Sequence, residues 1–190
     1  KLLTGTDEEN ITHIAFINRK TPETSSWTYA HELGRLYLKD AFHGSVQTKA
    51  YDNISGTDNA IAAIEQAIAD GNEMIFTTSP EFLSASLRAA VDHPEVKILN
   101  CSLNASHKYI RTYYGRMYEA KFLIGVLAGV MTDTDKIGYI ADYPIYGMTA
   151  NINAFALGVK MVNPKAKIYL EWSTLKENEH IDLTAKLYSL

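Results

Sequence analysis

Aromatic and small polar side chains follow several strand-like apolar segments of this sequence, and they are the residues best suited to contact a ligand. Flat aromatic faces come from Trp27, Tyr143 and Tyr146. Hydrogen-bonding groups come from Ser26, Thr77, Thr78, Ser79, Asn100 and Asp142. Aromatic walls with a few convergent polar groups are typical of a pocket for a small, flat, polar molecule. The alternative is that the aromatic residues only pack the protein interior.

The sequence shows no pattern that indicates catalysis, phosphate binding by a glycine-rich loop, or a metal site. It has no G-x-x-x-x-G-K-[ST], G-x-G-x-x-G, H-E-x-x-H or G-x-S-x-G motif. Its six histidines are scattered, and its one cysteine, Cys101, is expected to be a buried, inert thiol. We therefore expect a protein that is not an enzyme, uses no cofactor and binds no metal.

Charge and hydropathy exclude two further classes of partner. The net charge is −4 and no basic patch is present, so nucleic-acid binding is not expected. The most apolar segment, "FLIGVLAGVM", is about half the length needed to cross a bilayer. The opening "KLLTGTDEEN" lacks the apolar run of a signal peptide, so we expect membrane association only through an anchor absent from this chain.

Strand-like and helix-like segments alternate along the chain, which predicts an α/β fold with parallel sheets and right-handed crossovers. The segments predicted as strands are 11–17, 45–52, 73–78, 96–102, 108–112, 136–142 and 166–172. The segments predicted as helices are 26–42, 57–70, 79–92, 115–131, 147–162 and 179–190. Gly125 and Gly129 form a G-x-x-x-G pattern that we expect to let one helix approach a sheet closely.

Seven strands fit either one doubly wound sheet or two α/β lobes. A polar stretch near residues 102–107 favours two lobes, with the first at 1–102 and the second at 103–190. The second lobe would have only two or three strands, too few for an independent core, and the last helix stops mid-pattern. We therefore expect a fragment of a longer protein, or a chain that a partner completes.

Several blocks of the sequence are similar, in the same order, to those of one known family. They are "SSWTYAHELGR", "TYYGRMYEAKFLIGVLAGVMT", "KIGYIADYPI", "INAFALGVKMVNPKAKI" and "LEW". On these blocks the chain resembles the basic membrane protein family of substrate-binding lipoproteins, which serve ABC importers. It looks closest to the branch with W-T-Y-A-H after the first strand, which is associated with purines.

The resemblance implies an architecture like that of type I periplasmic binding proteins, in which two lobes close on a ligand. It implies an extracytoplasmic, lipid-anchored or periplasmic protein that delivers a purine nucleoside or base to an ABC permease. By the same resemblance Trp27 stacks on a nucleobase, and the loop Thr77–Ser79 contacts the ligand from the first lobe.

The resemblance also places residues of the second lobe at the ligand. Tyr114 and Arg116 fall at the entrance of its first helix, and Tyr143 and Pro144 fall in the loop after "KIGYIA". Arg116 would stack on a purine or donate a hydrogen bond to it, whereas the alternative is an ion pair with Glu119, three residues on.

Two departures from the family pattern concern the ligand. The first-strand loop "NRKTPETSSW" has no aspartate, and "TTSP" replaces an acidic site, so a bare base is an alternative to a nucleoside. A sensor domain with the same fold, not coupled to transport, is the alternative to an importer component. An enzyme with this fold is a third possibility, which no catalytic set in the sequence supports.

Overall fold

The computed structural model describes residues 11–102, 107–141, 147–173 and 179–189. The chain divides into two compact units, Lys1–Tyr114 and Gly115–Leu190, and each contains a parallel sheet. The predicted α/β class with two parallel sheets is therefore confirmed.

Within its described residues, the first unit contains five strands and three α-helices. Its elements are β1 (Thr12–Ile17), α1 (Ser26–Ala41), β2 (Val46–Tyr51), α2 (Thr57–Ala69), β3 (Met74–Thr77), a 3₁₀ turn (Pro80–Phe82), α3 (Leu83–Asp92), β4 (Lys97–Cys101) and β5 (Arg111–Tyr113). The strand order is β2-β1-β3-β4-β5, and all pairs are parallel. Strand β2 thus lies on one side of β1, and β3 to β5 lie on the other, so the strand order reverses between β1 and β3. Open α/β sheets bind ligands at the position of this reversal.

Alternating residues of the interior strand β1 pack on the two faces of this sheet. Ala15 and Ile17 belong to the larger core, which α2 and α3 cover. Ile14 and Phe16 belong to a smaller cluster on the other face, where Leu38 of α1 packs. This alternation follows from the two-residue period of a strand and explains why residues 14–17 of β1 are all apolar.

The division between the two units differs from the boundary expected after residue 102. Strand β5 pairs with β4 in the register Leu99↔Arg111 and Cys101↔Tyr113, so residues 111–113 belong to the first sheet. The polar stretch that reads as a linker therefore connects two neighbouring strands of one sheet. Sequence composition could not reveal this, because the pairing of β5 depends on a partner strand and not on local pattern.

The described part of the second unit contains two strands and three helices. Its elements are α4 (Met117–Met131), β6 (Lys136–Ala141), α5 (Met148–Val162), β7 (Lys167–Trp172) and α6 (Glu179–Tyr188). Strands β6 and β7 are parallel and pair along their whole length. None of the helices in the described residues combines the length and the apolar character needed to span a bilayer.

The glycines of α4 face a helix and not a sheet, so that part of the expectation is wrong. A Cβ at Gly125 would lie 2.1 Å from the carbonyl oxygen of Phe155 in α5. A Cβ at Gly158 of α5 would lie 2.1 Å from the carbonyl oxygen of Phe122 in α4. The two helices therefore touch backbone to backbone, because α5 supplies a glycine of its own at the contact.

Candidate ligand-binding site

Three strand ends are tied together at the carboxyl edge of the first sheet. Asn18, buried directly after β1, donates from Nδ2 to Asp52 Oδ1 after β2 at 2.8 Å. The hydroxyl of Thr78, directly after β3, donates to Asn18 Oδ1 at 2.8 Å and approaches the carbonyl oxygen of Ile17 at 3.0 Å. This hydrogen-bond network lies at the position where the strand order reverses. It fixes the starts of the loops that follow β1, β2 and β3 relative to one another.

Trp27 is joined to this hydrogen-bond network through its indole nitrogen. Helix α1 begins after Ser25, whose hydroxyl accepts a hydrogen bond from the Thr28 amide at 3.3 Å, so Trp27 lies in the first turn. The indole Nε1–H donates to the carbonyl oxygen of Thr78 at 2.7 Å. Trp27 nevertheless remains 39% exposed. An aromatic side chain that is held at its polar end but open to solvent is suited to stack on a flat ligand.

Two further rings lie beside Trp27 within the first unit. The ring of His31, one helical turn on, lies 5.2 Å from it between centroids, and His31 Nδ1 is 2.9 Å from the Trp27 carbonyl oxygen. The ring of Tyr114 lies 6.1 Å from it with an interplanar angle of 35°. Ser26, the first residue of α1, is exposed next to Trp27.

Thr77 and Asn100 are fully buried and bind each other. Asn100 Nδ2 donates to Thr77 Oγ1 at 2.8 Å and to the carbonyl oxygen of Ser79 at 2.9 Å. Thr77 Oγ1 is 2.8 Å from the hydroxyl of Ser86, which donates to the carbonyl oxygen of Phe82 at 2.7 Å. These side chains hold the loop after β3 in place. They set the position of the Thr78 carbonyl oxygen and so the position of Trp27.

The turn that follows this loop carries an ion pair. Ser79 Oγ accepts a hydrogen bond from the Glu81 amide at 3.3 Å and begins the 3₁₀ turn. The Glu81 carboxylate binds Arg19 Nε at 2.9 Å and accepts a hydrogen bond from the amide of Gly56 at 3.1 Å. The loops after β1, β2 and β3 are thereby joined a second time.

Three predicted residues lie outside the described part of the first unit. Arg116 belongs to the second unit, its side chain is 75% exposed, and Nη1 lies 3.4 Å from Glu119 Oε1. An ion pair with Glu119 is therefore present, and the ligand-binding role of Arg116 stays a prediction. Tyr143 and Pro144 lie outside the described residues.

The titratable groups at the end of β4 and β5 are protonated at neutral pH. Burial raises the pKa of the Cys101 thiol to about 11, and burial also raises the pKa of the Tyr113 hydroxyl. The raised pKa values disfavour the thiolate and the phenolate, which are the nucleophilic forms of these groups. The residues that the structure describes contain no cluster of His, Cys, Asp or Glu able to hold a metal ion.

Sequence reasoning did not select three residues that the structure links to this site, namely Asn18, His31 and Asp52. Asn18 and Asp52 directly follow β1 and β2, so the strand-end rule that selected Thr78 also points to them. His31 is four residues after Trp27, and helical spacing alone places the two on one face.

Comparison with known proteins identifies the class of the chain. The model of one family, described as ABC transporter substrate-binding protein PnrA-like, matches residues 11–188. The chain belongs to this family. The predicted relation to substrate-binding proteins of ABC transporters is thus confirmed, and the PnrA-like family is a family of solute binders.

Two relatives of the PnrA-like chain have been given a ligand by name. A purine-binding protein of Brucella abortus is 30% identical over 159 residues, which are 84% of this chain and 45% of that protein. A putative ABC transporter glucose-binding protein of Haloferax volcanii is 27% identical over 146 residues, which are 77% of this chain and 37% of that protein.

Solved structures confirm the fold of the PnrA-like chain. A solute-binding protein of an ABC transporter from Conexibacter woesei has a TM-score of 0.63 at 16% identity. The match covers 94% of this chain and 60% of that structure. The chain therefore spans about half the length of the relatives it matches.

Proposed function

We propose that the protein to which this chain corresponds captures a purine base or nucleoside for an ABC importer. In this proposal the base stacks on Trp27, and Tyr114 and the loop 77–79 border it. The observation that carries the proposal is the Trp27 indole, which is hydrogen-bonded to Thr78 yet leaves the ring 39% exposed. A ring held in this way loses less side-chain entropy when a flat heteroaromatic molecule binds to it.

The ligand class is supported by the purine-binding relative, which is 30% identical over most of this chain. The side chains directly after the first three strands of the first unit are those of Asn18, Asp52 and Thr78, of which only Asp52 is charged. Hydrogen-bonding groups of this kind suit the ring nitrogens and amino groups of a purine. The permease of an ABC importer is the proposed protein partner, and an extracytoplasmic location follows from the same proposal.

A thermal-shift panel tests this function. The chain is heated alone and with adenine, guanosine or glucose, and a ligand that binds the folded state raises the melting temperature. We expect a rise with at least one purine. Trp27→Leu should abolish the rise, because base stacking on an aromatic residue contributes about 1–3 kcal/mol. Trp172→Leu, which removes the other tryptophan from the end of β7, should not abolish it.

Glucose is the second candidate ligand, because a relative named for glucose binding is 27% identical to this chain. A sugar can also pack its apolar face on an exposed tryptophan. A rise in melting temperature with glucose and with no purine would contradict the purine proposal and leave Trp27 as a sugar-binding residue.

A further inference from the structure

Glu81 occupies a place in which two groups that bind anions converge. Its Oε2 lies 2.9 Å from Arg19 Nε, and its Oε1 accepts the hydrogen bond of the Gly56 amide at 3.1 Å. Gly56 precedes α2, and no side chain caps that helix from its own first turn. The carboxylate of Glu81 therefore satisfies both a guanidinium and a free backbone amide that would otherwise attract an anion.

This ion pair belongs to the same loops as the proposed purine site. Arg19 follows Asn18, whose side chain accepts the hydrogen bond of the Thr78 hydroxyl. Glu81 is three residues after Thr78, whose carbonyl oxygen holds Trp27. A base on Trp27 would bring its substituents to these loops.

The charge at this position affects which ligands can bind there. A phosphate that approached Arg19 would meet a carboxylate already bound to it, and would have to displace that carboxylate or lie beside it. Like charges in contact disfavour association, whereas an uncharged nucleoside has no such cost. The side chains of Arg19 and Glu81 are 30% and 32% exposed, so solvent screens the effect only in part.

We propose that Glu81 is a specificity determinant that excludes phosphorylated ligands, because its carboxylate already fills the anion-binding position between Arg19 and the start of α2. The preference of the site for a nucleoside over a nucleotide rests on the proposed function. That Glu81 fills this anion-binding position does not rest on the proposed function, and it can be tested separately.

The first experiment uses inorganic phosphate as the probe. Melting temperatures are measured in phosphate and in chloride at matched ionic strength for the unchanged chain, Glu81→Gln and Glu119→Gln. Glu119→Gln is the matched control, because it removes the same charge from another surface ion pair, with Arg116. We expect phosphate to stabilise Glu81→Gln more than the other two, and the double variant Glu81→Gln/Arg19→Gln to lose the gain. An equal response of Glu81→Gln and Glu119→Gln would overturn the proposal, and so would a gain that persists without Arg19.

The second experiment compares guanosine with guanosine monophosphate on the same three proteins. We expect the unchanged chain to prefer guanosine, and Glu81→Gln to narrow the ratio of dissociation constants by roughly three- to fivefold, the scale of a partly exposed ion pair. An unchanged ratio in Glu81→Gln would overturn the specificity role while the proposed function stands. If neither compound binds any variant, the nucleoside preference fails, while the thermal shift with adenine still decides the proposed function. The phosphate experiment alone then decides whether Glu81 fills an anion position.

Discussion

Trp27 depends on its neighbours for the orientation that makes it a candidate ligand contact. The indole N–H could bond to water in many orientations, but the Thr78 carbonyl oxygen at 2.7 Å selects one. That oxygen is itself fixed, because the Thr78 amide donates to Ile17 at 3.1 Å and its hydroxyl to Asn18 at 2.8 Å. The buried residues Thr78 and Asn18 therefore act on a ligand through Trp27.

The substitution Thr78→Val tests this dependence at the level of one hydroxyl group. The variant keeps the volume of the side chain but leaves the buried side-chain oxygen Oδ1 of Asn18 without the hydroxyl that donates to it. We expect a loss of about 1–3 kcal/mol in the free energy of unfolding, measured with urea and followed by tryptophan emission in a Trp172→Phe background.

The exposed threonine Thr24 provides the control for this prediction. Its hydroxyl also bonds to a backbone carbonyl, that of Thr21 at 3.3 Å, but in an exposed setting. Thr24→Val should change the free energy of unfolding by less than about 0.5 kcal/mol. Equal effects of the two substitutions would show that the Thr78–Asn18 bond does not stabilise the site.

Packing at the level of elements is tightest between α4 and α5. Gly125 and Gly158 allow the two helix backbones to meet, and Gly129 adds a contact, since a Cβ there would lie 2.7 Å from a methyl group of Val162. The helices carry large apolar residues on their outer surfaces, of which Leu127 is 60% exposed. The glycines thus determine which faces of the two helices pack together.

A pair of glycine-to-alanine substitutions separates this packing from helix propensity. Gly125→Ala should destabilise the second unit by about 1–3 kcal/mol, because the added methyl group would overlap the Phe155 carbonyl and force the helices apart. Gly34→Ala in α1, where an added Cβ meets no atom within 4 Å, should stabilise the first unit by about 0.5–1 kcal/mol.

Urea unfolding followed by Trp172 emission for the second unit and by Trp27 emission for the first checks both values. Stabilisation by Gly125→Ala would contradict the backbone contact between α4 and α5.

An acidic residue joins β2 to the end of α2 and should make the first unit sensitive to acid. Asp70 accepts hydrogen bonds from Lys49 and Tyr51 of β2 and from Gln66 of α2. Lys49 first, and then Tyr51 and Gln66, lower the pKa of Asp70 to about 2. Because the folded state holds this proton less tightly than the unfolded state, the contribution to stability is present above about pH 4 and is lost between about pH 4 and pH 2.

The melting temperature measured between pH 6 and pH 2 tests this prediction. Asp70→Asn should remove part of the decrease that the unchanged chain shows below about pH 4, and the two curves should converge near about pH 2. Asp92→Asn, at the exposed end of α3, changes the same charge and serves as the control. Parallel curves for the unchanged chain and Asp70→Asn would contradict the role of Asp70.

At the scale of the whole molecule, local sequence patterns are sufficient to predict the fold class. They do not show which strands pair or which helices pack together. Helix α1 was predicted at 26–42 and is Ser26–Ala41, because a serine cap and an apolar stripe are local signals. The place of β5 in the first sheet and the helix that Gly125 faces depend on residues distant in sequence. No single-segment pattern contains that information.

The candidate site shows the same division between local and distant information. The expectation that ligand-binding residues follow the ends of strands selected Trp27, Thr77, Thr78 and Asn100. The structure brings these residues to one edge of the first sheet. That expectation could not tell that three of them are buried and bound to their neighbours, which leaves Trp27 as the exposed member. Hydrogen-bond partners of this kind are fixed only when the strands have assembled.

One measurement tests the central claim most directly. In a Trp172→Phe chain, Trp27 is the sole tryptophan, and its emission can be followed while adenine or guanosine is added. The account predicts saturable quenching by a purine, no quenching by glucose, and a weaker purine response in Tyr114→Ala, which removes the neighbouring ring. Binding of a purine to the chain, detected by thermal shift, without any change in Trp27 emission would contradict the claim that the base stacks on Trp27.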